Sequence, residues 1–252
     1  MKKSLFTTGC CVAALMSANV ANADIILNGV TTAGPDATLV INNNDLRTQN
    51  LTINAANGGG SVTFNGGGSQ FGQGGTPTVD IQAGTFTATR NVFLGNGGAA
   101  NSSTFIVSGG DAFFTDLGIA RDRASGLLEI SAGSVTVSGA LAFDVFNGTN
   151  AATAGSGTLN FTAGSTGSLT AATIQVDGSA TGGVAADLAS YQALFTSGNL
   201  TFDGSNDGVF SEIFQVTPNG TTGATLSLIP EPASLALVSL GTLAMAGRRR
   251  RA

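Results

Sequence analysis

A short pattern of apolar residues and glycine recurs through the middle of the chain. Four copies read apolar, any residue, apolar, any two residues, glycine, and then one or two further apolar positions. A fifth, at Leu51, has the two apolar positions and a later glycine, Gly60. The first positions of the copies, 28, 26, 23 and 31 residues apart, are Leu51, Val79, Phe105, Leu128 and Leu159. The apolar positions after the glycines are Val62, Phe64, Phe86, Phe113, Val135, Val137 and Leu169. A third apolar cluster ends the periods, at residues 92–94, 117–119, 141–145 and 174–176. The chain therefore contains an internal repeat of roughly 25 residues.

This repeat predicts an all-β, single-domain parallel β-helix of about five coils over residues 24–183. Two or three short strands per period would form the faces of a coil, and glycine would supply the positive-φ corners. Because side chains alternate along a strand, the repeated apolar positions, Phe113 among them, would form one buried column. Residues 57–75 are so rich in glycine that we expect a loop or an irregular first coil there. The alternative fold is an antiparallel β-sandwich, which also has short strands and frequent turns.

The pattern changes at residue 184. One face of a short helix is predicted by four apolar residues at helical spacing, Val184, Leu188, Tyr191 and Phe195. Further strands are predicted at three apolar segments, residues 200–202, 210–216 and 225–228. A solenoid needs a cap on its open end to stay soluble. We therefore expect residues 184–229 to form a small C-terminal cap.

The N-terminus has the order of a secretory signal peptide. Lys2 and Lys3 give a short basic region, and residues 5–20 are mostly small or apolar. An A-x-A cleavage site, with Ala21 and Ala23 as its two alanines, precedes Asp24. These features predict a signal helix over residues 1–23 that is removed before Asp24. Both cysteines lie within it, so the mature chain would contain no disulfide.

The C-terminus combines a proline element, an apolar run and a basic end. Pro230, Glu231 and Pro232 favour an extended, non-helical backbone. Residues 233–247 are an apolar run that would span about 22 Å as a helix, which is short for a bilayer core of about 30 Å. The four residues that the positive-inside tendency would hold in the cytoplasm are Arg248, Arg249, Arg250 and Arg251. These elements predict a hydrophobic helix that holds the chain in the membrane transiently; a permanent anchor and a buried core helix are the alternatives.

Residues 230–252 resemble the PEP-CTERM sorting signal of exported bacterial proteins. The resemblance implies that a membrane-embedded exosortase recognises Pro230, Glu231 and Pro232 and cleaves there. It also implies export, transient anchoring in the inner membrane, and a final location at the cell surface or outside the cell. The glycine-rich repeats also resemble those of autotransporter passengers and related bacterial surface β-helices.

The charge of the body between the two signals narrows the choice of partners. Residues 24–229 contain 14 acidic residues and four arginines, a formal charge of −10. Nucleic acids and anionic membrane surfaces attract basic patches, so neither is expected as a partner. The chain has no histidine, which excludes a Ser-His-Asp triad and a histidine-ligated metal site.

Two groups of residues are candidates for site chemistry. Residues 203–208 match the first positions of an EF-hand calcium loop through Asp203, Ser205 and Asp207, but position twelve is Phe214, where a bidentate Glu is required. A β-turn between strands is the favoured interpretation, and no metal or cofactor is predicted. The second candidate is a site for acidic sugars, formed by Arg121, Asp122 and Arg123 with Asp111 and Asp116. The favoured interpretation is that these residues are solvated charges on a turn.

These observations predict a non-catalytic, exported structural or adhesive protein of the cell surface or extracellular matrix. The predicted partners are an exosortase, the membrane during sorting, and extracellular polysaccharide. The alternative is a polysaccharide-binding module, or a polysaccharide-acting enzyme, built on the β-helix. Clustered exposed aromatic residues or a carboxylate–arginine cleft would favour this alternative, and the single tyrosine and the lack of tryptophan weigh against sugar stacking.

Overall fold

The computed structural model describes residues 23–27, 30–34, 38–41, 46–54, 60–65, 69–145, 155–175, 183–220 and 223–230. The first part of the chain contains β1 (Ala23–Leu27), β2 (Val30–Gly34), β3 (Thr38–Ile41), β4 (Leu51–Ile53), β5 (Ser61–Phe64), β6 (Ser69–Phe71), β7 (Thr78–Ile81), β8 (Thr85–Ala88) and β9 (Val92–Leu94). The middle contains β10 (Ser102–Phe114), β11 (Leu117–Arg121), β12 (Ser125–Val145), β13 (Ser156–Phe161) and β14 (Ser168–Gln175). The C-terminal part contains β15 (Val184–Ala185), α1 (Leu188–Ser197), β16 (Leu200–Phe202), α2 (Phe210–Ile213), β17 (Phe214–Pro218) and β18 (Ala224–Leu228).

The strands from β3 to β14 form a parallel β-helix with three faces. On the first face the residues that stand in register are Leu51, Val79, Phe105, Leu128 and Leu159, so the chain makes four turns between Leu51 and Leu159. These are the positions that the sequence repeat marks. The parallel pairing confirms the predicted all-β solenoid and excludes the antiparallel sandwich for this part of the chain.

The second and third faces follow the later parts of each repeat. The second face pairs β3, β5, β8, the end of β10, the middle of β12 and the start of β14. The third face pairs β6, β9, β11, the end of β12 and the end of β14. Long strands such as β12 bend around the corners and contribute to all three faces.

The interior of the solenoid is a column of apolar side chains from all three faces. Five phenylalanine rings pack together inside it, with neighbouring centroids between 5.2 and 6.4 Å apart, and they are Phe64, Phe71, Phe86, Phe105 and Phe114. All five rings are almost completely buried. Edge-to-face and offset packing of this kind adds to the stabilisation from apolar burial.

The structure corrects two expectations about this column. Phe113 was expected inside, but it points outward and is 39% exposed, because Ala112 and Phe114 take the inward positions of the strand. Residues 57–75 were expected to form a loop or an irregular coil, yet they include β5 and β6. β5 pairs in parallel with β3 and β8, so this glycine-rich segment contributes to regular faces.

Antiparallel elements flank the parallel coils at both ends. β1 pairs with β2 and with β4, so it continues the first face beyond the first coil. At the other end β16 extends the first face in parallel with β13, whereas β18 joins the second face antiparallel to β14. β17 then pairs with β18. The described C-terminal segments therefore cover the last coil.

Two elements of the C-terminal segment differ from their predicted form. The helix predicted from Val184 begins only at Leu188, because Asp187 caps it: Asp187 Oδ1 accepts a hydrogen bond from the Ser190 backbone NH at 2.8 Å. Val184 lies in β15 and is exposed. Residues 210–216 were predicted as one strand, but they form the single turn of α2 followed by the start of β17.

The predicted signal helix before residue 23 and the predicted hydrophobic helix over residues 233–247 lie outside the described residues. Within the residues that are described, no helix has the length and apolar character needed to cross a membrane.

Candidate functional site

The sorting motif begins where the fold ends. β18 lies between β14 and β17, with Ala224 and Leu226 buried. The backbone NH of Ile229 then donates a hydrogen bond to the carbonyl of Ile213 at 2.9 Å. The next residue, Pro230, is exposed. The folded body therefore continues up to the motif without a linker.

A cavity of about 610 Å³ opens beside this exit point. It is lined on one side by a corner of the last coil, residues 164–167, and on the other by Phe202, Ile213 and Leu228. Ile229 and Pro230 line its edge. An enzyme that approaches Pro230 thus meets a mostly apolar surface of the C-terminal segment. Glu231, Pro232 and the four arginines from Arg248 to Arg251 lie outside the described residues.

The predicted signal-cleavage site lies at the start of the described chain. Ala23 and Asp24 belong to β1, where they pair with Gly34 and Ala33. Ala21 lies outside the described residues. Cleavage before Asp24 would leave four residues of β1, Asp24 to Leu27, in the mature chain.

The candidate calcium loop forms a tight turn between β16 and α2. The backbone NH of Phe202 donates to the carbonyl of Ser205 at 2.7 Å, and Asp203 and Gly204 both have positive φ. Ser205 Oγ donates to Asp207 Oδ2 at 2.8 Å. Among the described residues, no group of three His, Cys, Asp or Glu side chains could hold a metal ion. The turn chemistry, with hydroxyl and carboxylate bonded to each other, accounts for the residue types at these positions.

The residues of the candidate acidic-sugar site are spread over different faces. Asp111 lies on the second face, Asp116 at the following corner, and Arg121 at the end of β11 on the third face. The Arg121 guanidinium lies 4.7 Å from the centroid of the Phe93 ring, and its Nε is 3.4 Å from Asp122 Oδ2. Arg121 therefore covers an outer face of Phe93, which leaves less of that ring for contact with a sugar.

A further cavity of about 340 Å³ lies next to this ring on the third face. Phe93, Asp116 and Gly118 are among the residues that line it. Gly118 is constrained, because a side chain there would collide with the Phe93 ring. One oxygen of Asp116 accepts the backbone NH of Ala140 at 2.8 Å, so this carboxylate helps to hold the corner between two coils.

The outward surface of the second face carries two columns of mostly hydroxyl-bearing side chains, and we call this surface the hydroxyl face. The residues in register in the first column are Thr38, Ser61, Thr85, Asp111, Ser134, Ser168 and Ser227. The residues in register in the second column are Val40, Thr63, Thr87, Phe113, Thr136, Thr170 and Thr225. Their side chains are partly or fully exposed. This surface was not predicted from the sequence, although a hydroxyl-x-threonine pair recurs in the coils that contain Thr63, Thr87, Thr136 and Thr170.

Two potential glycosylation sequons have structural roles. The side chain of Asn160 is buried, donates to Glu129 Oε2 at 3.2 Å, and accepts from Thr201 Oγ1 at 2.9 Å. Asn199 is also buried, and its Nδ2 donates to Asp144 Oδ2 and to the Gly157 carbonyl, each at 2.9 Å. Both side chains therefore join a coil to the C-terminal segment and are inaccessible to a modifying enzyme in the folded protein.

Comparison with known proteins identifies the C-terminal end. Residues 228–251 match the family model of the PEP-CTERM protein-sorting motif. No curated protein and no solved structure matches the chain. The predicted likeness to autotransporter passengers stays a prediction. The match starts within β18 and includes Pro230, Glu231 and Pro232. It indicates a protein that an exosortase sorts across the membrane to the cell surface or the exterior.

Proposed function

We propose that this protein is a non-catalytic structural or adhesive component of the cell surface or extracellular matrix. The observation that carries the proposal is the direct continuity between a β-solenoid and an exosortase sorting motif. Stacked coils form an elongated surface whose residues repeat at the spacing of β-strands, which suits contact with an extended polymer.

The roles of the acidic side chains support a structural function. Asp80 Oδ1 accepts from Ser108 Oγ at 3.0 Å, and Asp116 Oδ1 accepts from the Ala140 backbone NH. Asp144 accepts from the Gly157 backbone NH and from Asn199. Each of these carboxylates joins neighbouring coils or joins a coil to the C-terminal segment, so these charges stabilise the fold.

The delivery part of the proposal is tested by replacing Pro230, Glu231 and Pro232 with alanine. We expect the native protein to be found outside the cell with a mass that lacks Arg248 to Arg251, and the variant to stay in the membrane with its full C-terminus. Pro218→Ala, at the exposed end of β17, is the matched control and is expected to behave like the native protein. A native protein that keeps all four arginines and stays in the inner membrane would overturn the proposal.

A polysaccharide-binding module is the second candidate. The observation in its favour is Phe113, an exposed aromatic residue at the centre of the hydroxyl face. A polysaccharide-acting enzyme remains the less favoured form of this alternative, because the acidic candidates Asp111 and Asp116 each already accept a hydrogen bond within the fold.

A further inference from the structure

We infer that the hydroxyl face binds an ordered, uncharged polysaccharide and that Phe113 is its stacking platform. This deepens the second candidate function and assumes the extracellular destination proposed above.

The hydroxyl face has the geometry of a flat, extended array. Seven strands stand in register, so at about 4.8 Å per strand the two columns extend for about 29 Å. The two columns are two residues apart along each strand, or about 6.7 Å. A flat array of these dimensions can contact several successive sugar rings of an extended chain at once. A small soluble ligand would use only a fraction of it.

The centre of the array combines an exposed aromatic ring with hydroxyl groups. Phe113 stands in register with Thr87 on one side and Thr136 on the other. It is a large apolar side chain exposed where its neighbours carry hydroxyls. A pyranose ring has an apolar C–H face and hydroxyls at its edges. The ring of Phe113 fits the C–H face, and the flanking threonines fit the hydroxyls.

Asp111 adds a strong acceptor beside this platform. It lies two residues before Phe113 on the same strand and side of the sheet, and its Oδ1 accepts from Ser134 Oγ at 2.6 Å. A carboxylate accepts through two oxygens and several lone pairs, so Asp111 can accept a sugar hydroxyl while it keeps Ser134 in place.

The hydroxyl face carries little charge. Among the outward side chains of the described strands of this face, Asp111 is the one charged group. With this single carboxylate, the described part of the face is nearly neutral within a body of formal charge −10. The negative electrostatic potential of the body disfavours anionic polymers. The hydroxyl face instead matches a polymer that makes its contacts through hydroxyl groups.

The other two faces fit such a ligand less well. The outward side chains of the first face include Asp80 and Glu129, and the C-terminal turn covers Asn160 on the same face. The third face carries Phe93 beneath Arg121. Among the described residues, a continuous surface of hydroxyl groups with a single charged side chain is therefore a property of the hydroxyl face.

The experiment is co-sedimentation of the full chain, purified in detergent, with insoluble cellulose, chitin and β-1,3-glucan, and with alginate gel as the anionic polymer. Phe113→Thr removes the platform and fits the surrounding column. Thr87→Lys and Thr136→Lys place a long charged side chain on each side of it. Thr104→Lys, an outward threonine of the first face, is the matched control. Thermal unfolding of each variant verifies the fold, which outward substitutions should leave intact.

We expect the wild type to bind at least one neutral polysaccharide and not alginate. The dissociation constant should rise about tenfold or more in Phe113→Thr and in the two lysine variants, and it should not change in Thr104→Lys. A wild type that binds none of the neutral polymers, or equal losses in all variants including the control, would overturn the inference.

One further outcome would assign the surface differently. Phe113→Thr makes the second column almost wholly threonine. If the wild type shapes growing ice crystals and Phe113→Thr does so more strongly, the face orders water and not sugar, and the inference is wrong. Because these assays use purified protein, their result is independent of where the cell delivers the chain. A failure of sorting and a failure of binding are therefore distinguishable.

Discussion

Single residues set how closely successive coils can approach each other. Gly133, at the corner between the first and second faces, has φ +75°, and a Cβ there would collide with the carbonyl oxygen of Gly110 in the preceding coil. Gly164 has nearly the same backbone angle, φ +72°, but a Cβ there would meet nothing within 4 Å. The two glycines therefore separate the cost of the backbone angle from the cost of coil contact.

We expect Gly164→Ala to lower the free energy of unfolding by about 1–2 kcal/mol, the cost of a left-handed angle for an L-residue. Gly133→Ala should lower the free energy of unfolding by clearly more, because the two coils must also move apart. Urea unfolding of both variants measures the difference. Equal losses of unfolding free energy in the two variants would show that the contact between the new Cβ and the Gly110 carbonyl relaxes without cost.

Tyr191 is the single tyrosine of the chain, and it is buried in the C-terminal segment. Its OH donates to the carbonyl of Ala224 at 3.2 Å, which joins α1 to β18. Burial raises the pKa of Tyr191 far above its ordinary value, because the phenolate would lose its hydration. The neutral side chain is therefore the form that the fold accommodates.

This raised pKa predicts a loss of stability in alkali. The folded-state pKa lies above the unfolded-state pKa of about 10, so the contribution of Tyr191 is complete below pH 10 and falls as the pH rises above it. Tyr191→Phe should remove this alkaline slope and cost about 1 kcal/mol at neutral pH through the lost hydrogen bond. The measurement is urea unfolding from pH 8 to 12. The body contains no lysine or cysteine to titrate in that range. If stability falls with pH as steeply in Tyr191→Phe as in the wild type, Tyr191 is not the cause of the alkaline loss.

At the scale of elements, one polar cluster fixes the C-terminal segment to the solenoid. Asn199 precedes β16 and donates to Asp144 and to the Gly157 carbonyl, while its Oδ1 accepts from Ser197 Oγ at 2.7 Å. These bonds join the end of α1 to two neighbouring coils. Removing the amide would leave the Asp144 carboxylate with one donor fewer in a half-buried position.

We expect Asn199→Ala to lower stability by about 2–3 kcal/mol, the typical cost of losing hydrogen bonds to a charged, partly buried group. In this variant the amide hydrogens of β16 should exchange faster than in the wild type, before any acceleration appears in β7 to β10. Asn219→Ala, on the exposed turn between β17 and β18, is the control and should change stability by less than about 0.5 kcal/mol. Uniformly faster exchange through all coils would contradict a local role for Asn199.

The elements also show what the sequence could predict. The strand starts were predictable because the core needs an apolar residue at the same place in every coil, as at Val79, Phe105 and Leu128. The inward position seven residues later is Phe86 in one coil and Ala112 in the next. The small Ala112 is a weak apolar signal next to Phe113, so the prediction chose the wrong residue and missed the outward aromatic. The start of α1 depended on the side-chain cap of Asp187, and apolar spacing does not report a cap.

At the scale of the whole molecule, the C-terminal segment closes an edge that would otherwise stay open. Backbone groups of β14 pair with β18, and Leu226 is fully buried beneath this contact. An unpaired edge of a long parallel face is a template for association between molecules. The segment therefore covers this edge of β14 and leaves the five-residue β17, which ends at Pro218, as the outer strand of the face. A short edge strand that ends in proline is a poorer template for stacking end to end.

We predict that Leu226→Asp, which buries a charge beneath β18, detaches this strand and causes concentration-dependent association. Light scattering after size exclusion measures it. Ser227→Asp is the matched control, because Ser227 points outward on the same strand, and it should stay in the state of the wild type. A monomeric Leu226→Asp variant with an intact fold would contradict the protective role of β18.

The two candidate surfaces differ in how far they can be read from the sequence. The sorting motif is contiguous, so Pro230, Glu231 and Pro232 were recognisable without a fold. The hydroxyl face consists of residues such as Thr63, Thr87 and Thr136 that are more than 20 positions apart. Serine and threonine are common throughout this chain, and only the stacking of coils shows which of them share one surface.

The pairing of β18 also determines when the protein can finish folding. Coils of a solenoid add to one another from the first that forms, so the N-terminal turns can assemble while the rest of the chain is still crossing the membrane. Residues 224–228 close the last coil, and they are also the last to emerge before the sorting motif. The last strand of the fold would thus pair as Pro230 reaches the membrane surface. A processing enzyme that needs this proline presented on a completed strand would release finished molecules and retain unfinished ones, which makes sorting a checkpoint on folding.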